Sequence, residues 1–116
     1  MTDIPGVDPT VPPSGPGCAE CEQAGGWWLH LRRCAQCGHV GCCDSSPHQH
    51  ASGHAAATGH TMIRSFEPGE EWFWSYASQE FYESGPALAP PEHHPRDQSA
   101  PGPAGRVPRN WQALLH

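Results

Sequence analysis

The stretch CAQCGHVGCCDSSPHQHASGH, residues 34–54, decides how this chain must fold. It packs Cys34, Cys37, Cys42 and Cys43 together with His39, His48, His50 and His54. Thiol and imidazole at this density are the donors zinc prefers. The pair Cys34/Cys37 has CxxC spacing, a turn that sets two thiolates on one metal at about 2.3 Å each. Outward from this stretch, Cys18/Cys21 forms a second CxxC pair, separated from the first by twelve residues, and His60 follows on the other side. Cys18, Cys21, Cys34, Cys37, Cys42, His50, His54 and His60 make eight ligands, the number that two closed tetrahedral sites require. Cys43, His39 and His48 are left over. Cys43 reads as a small buried apolar residue.

Two divisions of the eight are open on spacing. A sequential one places Cys18, Cys21, Cys34 and Cys37 on one ion and Cys42, His50, His54 and His60 on the other. An interleaved one gives Cys18, Cys21, Cys42, His50 and Cys34, Cys37, His54, His60, both familiar structural sets. His50 and His54 are four apart, so on a helix they project from one face. His30 lies in a strand, and His93, His94 and His116 lie in the C-terminal flank; these are read as ordinary histidines.

Composition sets the limits of the domain. Of 14 prolines, twelve lie in residues 1–16 and 84–116, while all six cysteines and nine of the ten aromatics lie between Cys18 and Glu83. Residues 1–16 and 84–116 are therefore expected to be disordered, Pro-rich tails around a domain over 17–83. A domain this small needs a staple beyond its core. The short Asn110–His116 patch (NWQALLH) is compatible with one helical turn. The chain has a net charge of −6, six arginines and no lysine, which argues against nucleic-acid binding. Five ligand thiolates and two divalent zincs would leave it about one unit more acidic still. No apolar run approaches the roughly 20 residues of a membrane span, and Met1–Gly17 has no signal-peptide pattern. A cytoplasmic location is the expectation, where such cysteines bind metal rather than pair.

Within the domain, Trp27–Arg33 alternates as a half-buried strand, and a very short strand surrounds Val40. Gln49–Thr58 reads as a helix stopped by Gly59. Thr61–Ser65 and Trp72–Tyr76 read as strands joined by the turn Glu67-Pro68-Gly69-Glu70, with Gln79–Tyr82 as an edge strand. The expected fold is a small α+β one, an antiparallel sheet stapled by zinc with one helix across it.

These elements resemble the UBP-type zinc finger of ubiquitin-specific proteases. CAEC (Cys18–Cys21), the Trp-led strand at Trp27/Trp28, CAQCGHVGC (Cys34–Cys42), the histidines of HASGH and TGH, and WFWSY (Trp72–Tyr76) occur in the family's order. CGHVGCCDSSPHQHASGH is similar to the stand-alone bacterial members. The resemblance implies the interleaved pairing and two structural Zn2+ ions. It also implies a pocket for the free Gly-Gly end of ubiquitin, lined by Trp and Tyr, carried over here to Trp28, Trp72, Trp74 and Tyr76. The family's pocket places an arginine two positions after the third ligand cysteine. Here that position is Asp44, whose carboxylate repels the one it would have to receive. The ubiquitin tail is thus not the expected ligand.

The resulting expectation is a non-catalytic module that binds a protein or peptide partner. Eight ligands close two sites and leave no open metal position, and no HExxH set is present. The alternative is a thiol-based redox or metal-sensing protein that uses the CxxC pairs and Cys43.

Overall fold

In a computed structural model of the chain, which describes Ile4 and residues 6–116, five short strands form one antiparallel sheet. The elements are α1 (Ala19–Ala24), β1 (Leu31–Cys34), β2 (Val40–Cys42), α2 (His50–Thr58), β3 (Met62–Ser65), β4 (Phe73–Ser75) and β5 (Glu80–Tyr82). The strand order is β2-β1-β3-β4-β5. Register is fixed by pairs such as Arg32 with Gly41 and Ser65, and Ile63 with Trp74.

Local chemistry explains the helix ends. α2 begins after Pro47 and Gln49, which adopts a left-handed φ of 52°, and stops at Gly59 with φ 78°. Gly59 closes the helix by donating its N–H to Ala55 O at 2.9 Å. α1 is a second helix beyond the one expected from sequence. It is one and a half turns long, and Cys18 caps it by accepting the Cys21 N–H on Sγ at 3.4 Å. Glu20 and Glu22 sit in its first turn, where they favour the positive end of the helix, and Gly25 ends it in the left-handed region. The Glu67–Glu70 turn closes as expected, with Gly69 at φ 82° and Glu70 N–H on Glu67 O at 3.2 Å.

Alternation along the strands gives the sheet two distinct faces. One face holds Arg32, Ile63, Trp74 and Phe81. α2 crosses its β1–β2 end, and at Gly41 the two backbones come so close that a Cβ would lie 2.7 Å from Ala51 N. The other face holds Arg33, Arg64, Phe73 and Tyr82.

The core falls into two clusters. Cys18, Cys21, Trp28, Leu31, Val40, Cys42 and Phe66 form the first, and Ile4, Ala35, Met62, Phe73 and Leu88 the second. The flanking segments thus touch the domain at discrete points. Buried Arg33 donates to the carbonyls of Val11 and Pro91, and Arg64 to that of Glu92. His94 sits against Glu67 with Nε2–Oε1 at 3.1 Å, and Gly102 exchanges backbone hydrogen bonds with Trp28. The NWQALLH patch carries one 3-10 turn, Trp111–Leu114. No helix among the described residues is long and apolar enough to cross a membrane.

Candidate metal centres and the aromatic pocket beside them

Two quartets of donor atoms converge. Cys18, Cys21, Cys42 and His50 form one, and Cys34, Cys37, His54 and His60 the other; within each, the ligand atoms lie within 4.8 Å of one another. This is the interleaved division. The first quartet joins α1, the end of β2 and the start of α2. The second joins the end of β1, the turn after it, the middle of α2 and the segment entering β3. Each ion therefore ties sequence-distant elements, and α2 is held by both.

The spacings fit zinc. A tetrahedral ion with Zn–S near 2.3 Å and Zn–N near 2.05 Å implies S···S edges of about 3.8 Å and S···N edges of about 3.6 Å. In the first quartet His50 Nδ1 lies 3.2, 3.3 and 3.5 Å from the sulfurs of Cys18, Cys21 and Cys42, and Cys21 Sγ is 3.9 Å from Cys42 Sγ. In the second, Cys37 Sγ is 3.3 Å from His54 Nε2. A zinc ion in each quartet supplies cross-links and charge neutralisation for thiolates that could not otherwise share so small a space.

The titration of these side chains reflects that crowding. The neighbouring Cys18 thiol, then that of Cys42, pushes the Cys21 thiol far up. Cys42 is drawn down to about 2, chiefly by hydrogen bonds from the Cys18 and Cys21 thiols. Burial raises Cys34. His54 is lowered, first by burial and then by His39 and His60, a shift toward the neutral form in which imidazole binds metal.

Supporting contacts orient the ligands. Backbone N–H groups of Cys21, Cys37 and His50 donate to the sulfurs of Cys18, Cys34 and Cys42 at 3.4, 3.5 and 3.2 Å. His39 stays outside the quartets. Its ring stacks on His54 at 4.1 Å, and Nε2 reaches Glu20 Oε1 at 2.8 Å, so it braces a ligand and does not serve as one.

Beside α2, on the same face of the sheet, lies a cavity of about 280 Å³. Trp72, Trp74 and Tyr76 form its wall, with Arg32, Asp44 and Phe81 around them. The Arg32 guanidinium lies over the Trp72 ring, 4.7 Å from its centroid. Phe81, 60% exposed, packs against Trp72 at 5.8 Å between centroids.

A family profile described as a zinc finger in ubiquitin-hydrolases and other protein matches residues 18–86. The chain belongs to this family of UBP-type zinc fingers. It is also similar to the solution NMR structure of protein RPA1320 from Rhodopseudomonas palustris. The two share 46% identity and a TM-score of 0.65, over 76% of this chain and 87% of that one. No functionally curated protein matches the chain.

The family and the two Cys/His quartets are consistent with two structural zinc ions in this chain. The carried-over pocket residues divide. Trp72, Trp74, Tyr76 and Asp44 line one cavity, whereas Trp28 is buried in the first core cluster beside Cys18 and Cys21. Three residues of the finger were not read as functional ones, His30 among them, having been read as an ordinary histidine. Arg32 and Phe81 belong to the cavity, and the alternation of their strands was the available signal, since both share a face with Trp74. His30 is the third. Its backbone carbonyl takes the Cys43 N–H at 3.0 Å, and its imidazole pKa is raised, chiefly by its hydrogen bond with Cys43. Cys43 itself is buried among these partners and outside both quartets. Burial opposes its ionisation, yet hydrogen bonds with His30 and Ser46 outweigh that and draw the thiol down to about 7.

Proposed function

We propose that this UBP-type finger is a non-catalytic module that binds a protein partner through the pocket of Trp72, Trp74 and Tyr76. The observation that carries the reading is Arg32 stacked over Trp72 at the edge of an open aromatic cavity. Trp, Tyr and Arg are the residues that most often dominate binding energy at protein interfaces, and here they converge on one concave site. Each quartet offers four protein ligands, which leaves no metal position for water or substrate and favours a structural role. The net charge of −6 opposes a nucleic-acid partner. Five metal-bound thiolates and the free Cys43 thiol suit a reducing cytoplasm. Asp44 on the pocket favours a ligand other than a plain Gly-Gly terminus, because it sets a like charge against the incoming carboxylate.

The test is affinity capture with the zinc-loaded chain, comparing wild type with Trp74→Ala after both are shown to carry two zincs. A partner identified by mass spectrometry should be held by the wild type and lost from the variant. Equal retention by both would move the contact elsewhere. Micromolar binding of a peptide ending in free Gly-Gly, abolished by amidation, would restore the ubiquitin tail as the ligand.

A further inference from the structure

Residues 98–116 fasten themselves around the first quartet. Gln98 donates from Nε2 to Pro16 O at 2.8 Å, two residues before Cys18. Arg106 pairs at 2.6 Å with Glu22, the neighbour of Cys21, and donates from Nε to Gly26 O at 2.8 Å. Gly102 and Trp28 exchange two backbone hydrogen bonds of 2.9 Å, and Trp28 packs in one cluster with Cys18, Cys21 and Cys42. His116 donates its backbone N–H to Ser45 O at 3.1 Å, and its ring Nε2 lies 3.1 Å from Pro47 O. Ser45 and Pro47 sit in the loop between Cys42 and His50. Every ligand of the first quartet thus lies within three residues of an anchor of this segment. Among the described residues, none of its hydrogen bonds or ion pairs reaches residues 34–37 or 54–60.

The second quartet is held differently. The N–H groups of Asp8 and Ser14 donate to Ala35 O and Gly38 O at 2.8 Å, so the loop that carries Cys37 is tied at its base. Cys37 is nonetheless exposed, whereas Cys18, Cys21 and Cys42 are wholly buried. A four-ligand site gives up its ion when donors swing away one at a time and an incoming ligand takes each place. Both steps need access. A buried donor fastened on either side moves only when its surroundings open with it, while an exposed one moves alone at much smaller cost.

We infer that residues 98–116 lock the first zinc site, and that the second, entered at Cys37, exchanges its ion with an external thiol or chelating ligand. This division of roles is independent of what the aromatic pocket binds. The exchange is a ligand substitution without change of oxidation state: the bond from Cys37 Sγ to the metal breaks, and a sulfur or nitrogen of the acceptor forms one in its place. Cys34, His54 and His60 then give way in turn. The first quartet meanwhile keeps α1, β2 and the start of α2 together. The end of β1 and the segment entering β3 lose their shared tie, so the chain responds to zinc supply at one site while the other preserves the fold.

The experiment mixes the two-zinc full chain with an excess of the chromogenic chelator 4-(2-pyridylazo)resorcinol and follows zinc release by absorbance. Release should run in two phases of one equivalent each, their rates apart by on the order of tenfold or more. An iodoacetamide pulse after the fast phase, mapped by mass spectrometry, should label Cys34 and Cys37 and spare Cys18, Cys21 and Cys42. A third thiolate also favours retention at the first site, so variants of the segment separate the two effects. Arg106→Glu sets a like charge against Glu22, and Gly102→Val adds a Cβ that would meet Ser99 O at 2.5 Å. Together they should speed the slow phase by about tenfold and leave the fast phase unchanged. Arg106→Glu alone, at a partly exposed side chain, should move the slow phase in the same direction. Arg109→Glu makes the same charge change at an exposed residue of the same segment and should alter neither phase. A single phase, or a fast phase that labels the first-quartet cysteines, would overturn the inference. So would a slow phase indifferent to Arg106→Glu, or one that Arg109→Glu speeds equally.

Discussion

His50 and His54 lie one turn apart on α2, yet each closes a different metal quartet. Their shared face points at the sheet, where Gly41 lets the helix backbone approach. The two quartets open on either side of that contact, one toward α1 and β2, the other toward the end of β1. A helix of nine residues, too short to be stable alone, is fixed at two points along its length.

The wild-type chain should carry two zinc equivalents by elemental analysis. His50→Ala and His54→Ala should each keep one. Alkylation should then separate them: Cys18, Cys21 and Cys42 become reactive in the first variant, Cys34 and Cys37 in the second. The same cysteines exposed in both variants would contradict separate sites.

Chelation should unfold the domain. The first quartet buries three thiols and the second buries Cys34 beside an exposed Cys37, and structural zinc contributes on the order of 10 kcal/mol to the folding of small domains. Amide dispersion in an NMR spectrum should collapse after zinc is stripped and return when it is restored. Dispersion that survives in the apo chain would mean that the two core clusters suffice.

Cys43→Ser should leave both zincs in place. Cys43 Sγ sits 3.4 Å from Ser46 Oγ and lies outside both quartets. Native mass spectrometry of the variant should give the chain plus two zincs. Loss of one, with Cys42→Ser unaffected, would make Cys43 the ligand in place of its neighbour.

Gly41→Ala should destabilise the zinc-loaded domain by about 1–3 kcal/mol, the usual cost of overpacking a tight contact. The added methyl would meet the backbone of Ala51 and His50, which cannot rotate aside. Chemical denaturation with metal present measures the change. An unaltered midpoint would show that α2 floats over β2 without close contact.

The ligand residues were legible because metal chemistry fixes them by type and spacing, and α2 because Pro47 and Gly59 bracket an alanine-rich run. The strands were legible to within a few residues; the one beginning at Trp27 forms only from Leu31. α1 was not, since its N-cap is a thiol, a group outside the usual capping residues, and six residues carry no period. Arg32 could be placed in a strand, but not over Trp72, because that contact crosses from β1 to the approach to β4. The pairing of Gly102 with Trp28 and of His94 with Glu67 has no local signal at all. Long-range contacts of this kind depend on the whole fold.

A 113Cd NMR spectrum of the chain, taken after both zincs are exchanged for cadmium, distinguishes the interleaved division of ligands from the sequential one. Cadmium shifts move strongly downfield with each added thiolate. The structure predicts two resonances, one from the three-thiolate site of Cys18, Cys21 and Cys42 with His50, and one from the two-thiolate site of Cys34 and Cys37 with His54 and His60. A four-thiolate resonance paired with a one-thiolate resonance would contradict it and return the ligands to sequential order.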